Sequence, residues 1–257
     1  MSHGTKNGQH LYIVATVSRL SAGIAGVGAL TAIAAGFGHR MGLWDFTTGF
    51  VILRAAGYVA LVAAAGALGA CIGAVLTRDR AAAAWAGIGL LIALAVVAPP
   101  LWELRIARSV PAIHDITTDT EHPPAFVAVL PLRENASNSA QYGGAAVAAM
   151  QREAYPDIRP LFVHASPSQA FDASLAEARA LGWDLVAVQP ASGRIEATAT
   201  TFWFGFKDDV VIRERQEDGL TRIDIRSESR VGQSDIGANA RRIRHFLAGL
   251  RERLGAH

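Results

Sequence analysis

Apolar positions fall into two regimes along this chain. Up to Leu104 they are nearly continuous, in three runs broken by short polar stretches; beyond it they alternate with polar positions at the periods of strands and helices. The first run, Leu20 to Phe37, is rich in Ala and Gly. The second reaches from about Arg54 to Leu76 and the third from about Ala82 to Val97. A bilayer-spanning helix needs roughly 20 mostly apolar residues. The pattern therefore predicts spans near 18–37, 54–76 and 82–97, in a transmembrane region of residues 18–104 that follows a tail of residues 1–17. Pro99-Pro100 is read as the end of the third span, because proline removes a donor and restricts the residue before it. Gly69 and Gly73 form a GxxxG pair, read either as a close helix contact or as the commonness of Gly in this stretch. A soluble bundle is rejected, since the runs lack the polar stripe of a surface helix and carry their charges at the ends.

The second regime, residues 105–257, predicts a different architecture. Ser109 to Phe126 is rich in Pro, Thr and Asp and reads as a linker or surface strap. Val127 to Leu130 is short and apolar, and an Asn/Ser patch follows. Ala140 to Glu153 predicts a helix and Ile158 to Val163 an extended stretch. Ser166 to Leu181 predicts a second helix, with a serine cap, Pro167 in its first turn and Gly182 as its stop. Asp184 to Gln189 reads as a strand. Arg194 to Phe206 alternates as a half-buried strand, and Asp209 to Gln216 alternates less cleanly. Asp218-Gly219 is a hairpin turn. Thr221 to Arg230 then alternates sharply, with Arg222, Asp224, Arg226, Glu228 and Arg230 on one face, read as a solvated one. A last helix is expected from about Asp235 to Arg253, burying Ile243, Leu247, Leu250 and Leu254. Helix, antiparallel strands and helix in that order make an α+β fold, a β-meander covered by helices and preceded by three transmembrane helices.

Charge adds orientation. Lys6 and Arg19 precede the first span, and Arg78 and Arg80 join the second to the third, so the positive-inside rule puts that side in the cytoplasm. The domain after the third span is then expected outside, in the periplasm of a cell with two membranes; Arg105 and Arg108 weigh against this. Met1 to His10 lacks the features of a signal peptide. The formal net charge is +2, and beyond Leu104 the two signs nearly balance, so no basic field exists to gather nucleic acid. Cys71 is the single cysteine, so no internal disulfide forms and no compartment is indicated.

GFKDDVVIRE, Gly205 to Glu214, and RIDIRSESRVGQSDIGANARRIRHFL, Arg222 to Leu247, resemble the signature of the domain of unknown function 1499 family. PAIHDITTDTEHPPAF, Pro111 to Phe126, resembles that family's opening segment. The likeness runs from about Val110 to Leu254, and the spans before it resemble the family's membrane-anchored bacterial members. It implies a domain boundary near Arg108 and no particular activity.

Candidate chemistry is sparse. Arg226, Arg230, Asn239 and Arg242 gather around the start of the last helix, where free backbone donors attract anions; the structural alternative is that Ser234 or Asp235 caps that helix and the arginines pair with Asp224, Glu228 and Asp209. Arg230, Asn239 and Arg242 are expected to share one polar pocket there. His114 and Asp115, with Asp119 and His122 nearby, read either as an acid-base or metal pair or as a polar strap, and the spacing matches no metal motif. No GxSxG elbow, SxxK, Walker loop or dinucleotide glycine pattern appears, so no cofactor is implied. Arg241, Arg244, His245 and Arg251 offer a basic helix face to anionic lipid or to solvent. TFWFGF, Thr201 to Phe206, is read as strand core, as a lipophilic pocket, or as a lipid-facing surface. The expected function is binding, of a partner protein or an amphiphilic or anionic ligand, by an inner-membrane protein that serves as a complex subunit or assembly factor. The alternative is a periplasmic hydrolase of envelope material using His114 or a serine.

Overall fold

The computed structural model describes residues 3–256. It divides into two compact units, one built on the chain up to Leu104 with Trp203–Gly205 grouped with it, the other on the rest of the chain from Arg105.

In the first unit are helices α1 (His3–Arg40), α2 (Phe46–Thr77) and α3 (Arg80–Ala107). Among the described residues, these three are long and apolar enough to cross a membrane. Their packing is the reverse of a soluble bundle. Ala56, Ala60, Ala63, Ala67, Ala70 and Ala74 make the buried stripe of α2, while Leu61, Val62, Leu68 and Ile72 stand exposed. Small residues inside let backbones approach, and the large apolar side chains outside suit a hydrocarbon solvent. Of the GxxxG pair only Gly73 is crowded: a Cβ there would lie 2.7 Å from Val14, whereas one on Gly69 would meet nothing within 4 Å. Two expectations are corrected. Helix α1 begins at His3, within the stretch expected as a tail of residues 1–17; the first two residues of that tail lie outside the described residues. The double proline does not end α3, which runs on to Ala107. Proline's fixed φ is itself helical, so two missing donors weaken the helix locally without diverting it.

The second unit is an antiparallel sheet with helices. Its strands are β1 (Asp115–Thr117), β2 (Leu161–Val163), β3 (Asp184–Gln189), β4 (Arg194–Thr200), β5 (Lys207–Glu217) and β6 (Leu220–Ser229), in spatial order β1-β6-β5-β4-β3. Strands β1 and β2 lie end to end along the same edge of β6, pairing with Arg226–Glu228 and Thr221–Ile223 respectively. The β5–β6 hairpin turns at Asp218 and Gly219, both at positive φ (51° and 80°). That is the backbone a two-residue hairpin requires.

Helices α5 (Pro167–Ala180) and α6 (Ala238–Leu254) cover one face. Beneath them Ile195, Ile212, Ile223 and Ile225 meet Phe171, Leu250 and Phe246, and Trp183 stacks on Phe246 at 5.5 Å between centroids. Helix α5 starts with the expected Ser166 cap, closed into a box by Gln169. Helix α4 (Gly144–Ala154) replaces the missing partner on β1's outer edge: Gln151 accepts from Thr117 N–H and donates to its carbonyl. Strand β4 ends at Thr200, so the TFWFGF stretch expected as strand is a turn. Thr201 Oγ1 accepts from the Phe206 amide, and Phe202 is 78% exposed.

The opposite face corrects one reading of β6 and bears out another. Arg226, Glu228 and Asp224 are buried, not solvated, while the expected pairing of arginines with Asp224, Glu228 and Asp209 is present. The segment 118–143, which includes a short 3-10 turn (Leu130–Arg133), lies over them and brings Phe126 and Val129 against Val211. Glu196 of β4 accepts from the amides of Val127 and Val129, and Arg194 donates twice to the Ala125 carbonyl. These bonds hold the strap down on the sheet.

Candidate functional site

The register of the sheet decides which polar groups meet. Asp115 faces Glu228, Asp209 faces Glu228 from the other side, and Val211 faces Arg226. All therefore point to the strap side. The strap adds Arg133, and a layer of three arginines and three acidic side chains closes between sheet and strap.

Arg226 is its centre. Nε and Nη2 donate to the two Asp115 oxygens at 2.9 and 2.8 Å, and Nη2 reaches Glu228 at 3.2 Å. Further bonds go to the carbonyls of Pro124 and Ala140. The guanidinium lies 4.6 Å from the Phe126 ring centroid and 5.6 Å from that of Tyr142, so its faces are covered as well as its edges. Asp209 accepts from Arg133 at 2.7 Å, from Arg230 at 2.8 and 2.9 Å and from Thr198 at 2.7 Å. Burial pushes its carboxyl up, but the bonds from Arg230, Thr198 and Arg133 outweigh that and hold it below the usual range. Glu228 has the opposite fate. Its arginine contacts are long, Arg133 at 3.1 Å and Arg226 at 3.2 Å, and each arginine has a closer carboxylate elsewhere. Burial first, then the Asp115 charge, push it up to about 8. Burial, with the Asp115 charge adding to it, also raises the Tyr142 phenol to about 12, and its hydroxyl is buried without a partner.

A second knot ties the strap's start. Asp119 accepts from Arg213 at 3.1 Å and Arg222 at 2.8 Å, and its other oxygen from the amides of Glu121 and His122. The charges are not solvated here either, since Asp224, which pairs with the same two arginines, is fully buried.

The four residues expected to gather at the last helix are divided by the sheet. Arg226 and Arg230 lie on the strap side. Asn239 and Arg242 lie on the helix side, where Ser227 donates to Asn239 Oδ1 at 2.7 Å and Arg242 pairs with Asp208 at 2.5 Å. Arg242 also bonds Asn239 Oδ1 and Ser227 Oγ, and Asn239 Nδ2 donates to the His114 carbonyl and to Ser229 Oγ. Only these two share a polar cluster; Arg230 does not join them. Helix α6 begins at Ala238, and Asp235 accepts from the amides of Gly237 and Asn239 at 2.9 and 2.6 Å. The anion position at this helix start is thus filled by the chain's own carboxylate, which leaves no room there for an anionic ligand.

His114 and Asp115 do not form a dyad. Asp115 turns into the buried layer, while the His114 ring lies 3.3 Å from the Gln233 carbonyl oxygen. His114 instead borders a cavity of about 380 Å³ between the strap and α4. Its polar wall is His114, Asn138, Ser139 and Gln141; Val147 and Met150 form the apolar one. Sequence reasoning missed Arg133 and Glu196, which bind the two layers. Glu196 alternates with Ile195 and Ala197 and so looks like an ordinary solvent-side residue of a half-buried strand, which hides that it is buried and needs a partner. Arg133 stands in an aperiodic stretch that gives no indication of what it meets.

A family model described as Protein of unknown function (DUF1499) matches residues 115–250. That match starts at Asp115 and includes strap, sheet and most of α6. No curated protein matches the chain significantly.

Proposed function

The chain belongs to the DUF1499 family of proteins of unknown function, and from that premise we propose that it is an integral membrane protein whose folded domain binds an amphiphilic ligand. The observation that carries this is the cavity beside His114, with hydrogen-bonding side chains on one wall and Val147 and Met150 on the other. Such opposed walls suit a molecule with one polar and one apolar end, and three membrane-spanning helices hold the domain where amphiphiles concentrate. The acid-base alternative has little support: Asp115 is engaged by Arg226, and the His114 ring meets a backbone carbonyl.

Native mass spectrometry of the full chain, purified in a mild detergent, is the direct test. A retained amphiphile of defined mass is the expected result, and Val147→Glu, at a half-exposed site on the apolar wall, should lower its occupancy about tenfold, the equivalent of ~1.4 kcal/mol. Equal occupancy in the variant would reject the cavity. A stoichiometric protein in place of the amphiphile would move the reading to a complex subunit.

The same reading puts the membrane spans in an inner membrane with the domain in the periplasm, supported by Arg78 and Arg80 at the turn from α2 into α3. An alkaline phosphatase fused after His257 should then be active; an inactive fusion, with a cytoplasmic reporter active at the same point, would reverse the topology.

A further inference from the structure

On the helix face of the sheet, away from the strap, Glu214 of β5 is 7% exposed. One of its oxygens accepts from Ser174 of α5 at 2.6 Å; the other is buried and has no hydrogen-bond partner. Buried carboxylate oxygens are rarely left so. Glu214 also lines a cavity of about 430 Å³ between the first turns of α5 and the 3-10 turn Pro190–Ser192. Phe171, Pro167, Pro190 and Ala191 form its apolar walls, and the exposed Asp172 stands among its lining residues. The wall is built to close tolerance at Gly193, which has φ 58° and where a Cβ would lie 2.4 Å from the Glu214 carbonyl oxygen.

We propose that this cavity is a binding site for a small organic ammonium, which donates a hydrogen bond to the unpartnered Glu214 oxygen. An ionised carboxylate only accepts, so its partner must be a donor. Asp172 contributes a second negative charge, which opposes an anion and favours a cation. The phenylalanine and two prolines favour an apolar body on that cation. Arg215, the basic residue of the lining, alternates onto the strap side and pairs with Glu217 at 3.1 Å, so it does not neutralise Glu214. This site is separate from the cavity beside His114 and stands or falls without it.

Calorimetric titration of the full chain in detergent with benzylammonium chloride, against benzyl alcohol as the neutral control, tests the assignment. Benzylammonium should bind with a Kd of about 0.1–1 mM, in the range open to so small a ligand, and the alcohol at least tenfold more weakly. Glu214→Gln should weaken the cation at least tenfold and leave the alcohol unchanged. Affinity for the cation should rise between pH 6 and 8. Burial, aided by the Asp172 charge and opposed by the Ser174 hydroxyl, lifts the Glu214 carboxyl to about 7, and the ionised form is the one that binds. Ala191→Trp, at an exposed wall position, should abolish binding without touching the carboxylate, and covers the case in which Glu214→Gln fails to fold. Benzylammonium that does not bind, that binds no better than the alcohol, or that binds Ala191→Trp as well as the parent would overturn the site and leave a bound water as the oxygen's partner.

Discussion

Replacing Arg226 with methionine is expected to destabilise the sheet domain by about 3–5 kcal/mol, the range for removing one partner of a buried ion pair. Arg226 has 2% of its side chain exposed and touches Asp115 and Glu228, at 6% and 1%. Without it Asp115 loses both guanidinium bonds while staying out of water, and the carbonyls of Pro124 and Ala140 lose their donor. Methionine keeps most of the volume under Phe126, so the loss reports charge rather than a cavity. Hydrogen exchange of peptides from β5 and β6 in the detergent-solubilised full chain measures it. Arg244→Met is the internal control: Arg244 and Asp157 are 40% and 55% exposed, and an exposed pair contributes about 0–1 kcal/mol. Adding Asp115→Leu to Arg226→Met should restore a large part of the stability, because an apolar replacement of the whole pair removes the stranded charge. Equal effects from Arg226→Met and Arg244→Met would mean that the buried layer is not what holds the strap.

That layer was the least legible part of the chain, and the reason is physical. Alternation along Thr221 to Arg230 says which side chains share a face, but not what covers the face. Charges on an alternating strand usually meet water; here they meet a strap whose Pro-rich, aperiodic sequence carries no signal of its destination. Once the strap is in place, Arg133 and the Glu196 carboxylate follow as the partners that burial demands. Proximity along the chain misled in the same way at the last helix. Arg230 and Arg242 are close in sequence, yet a sheet separates them, since the period of two sends Arg226 and Ser227 to opposite sides. Elements governed by local physics read well. The three apolar helices follow from composition, α5 from Ser166, Pro167 and Gly182, and the β5–β6 hairpin from Asp218-Gly219. The double proline of α3 misled because it was weighed as a full stop, whereas it only removes two donors.

Stability should fall as pH rises from about 5 to 8, and Glu228→Gln should remove much of that slope. The Glu228 carboxyl has an ordinary value of 4.5 and is pushed up to about 8 in the fold by burial and by Asp115. Below 4.5 folded and unfolded chains both hold the proton, and its contribution is fully present. Between the two values the unfolded chain releases the proton while the folded one keeps it, so stability drops by about 1.4 kcal/mol per pH unit. Above 8 the loss is complete, on the order of 3–5 kcal/mol. Glu214, raised to about 7, and Asp235, also raised by burial, act in the same direction, so the part of the slope that disappears in Glu228→Gln is the part that belongs to Glu228. Asp119 and Asp209 act in the other direction: both are held below their ordinary 3.8, so their contribution is present above that value and is lost as pH falls through the folded ones. Hydrogen exchange of the β6 peptides across pH 5–9, corrected for the intrinsic rate, should place the maximum near the acid end of that range. Glu228→Gln should match the parent at pH 5 and exceed it at pH 8.5. An unchanged slope between 7 and 8 in the variant would mean that Glu228 is already ionised at neutral pH, completing three carboxylates against Arg133, Arg226 and Arg230. The two variants are coupled, because Arg226 is among the charges that pull the Glu228 carboxyl down. In Arg226→Met the falling limb should therefore extend to higher pH than in the parent.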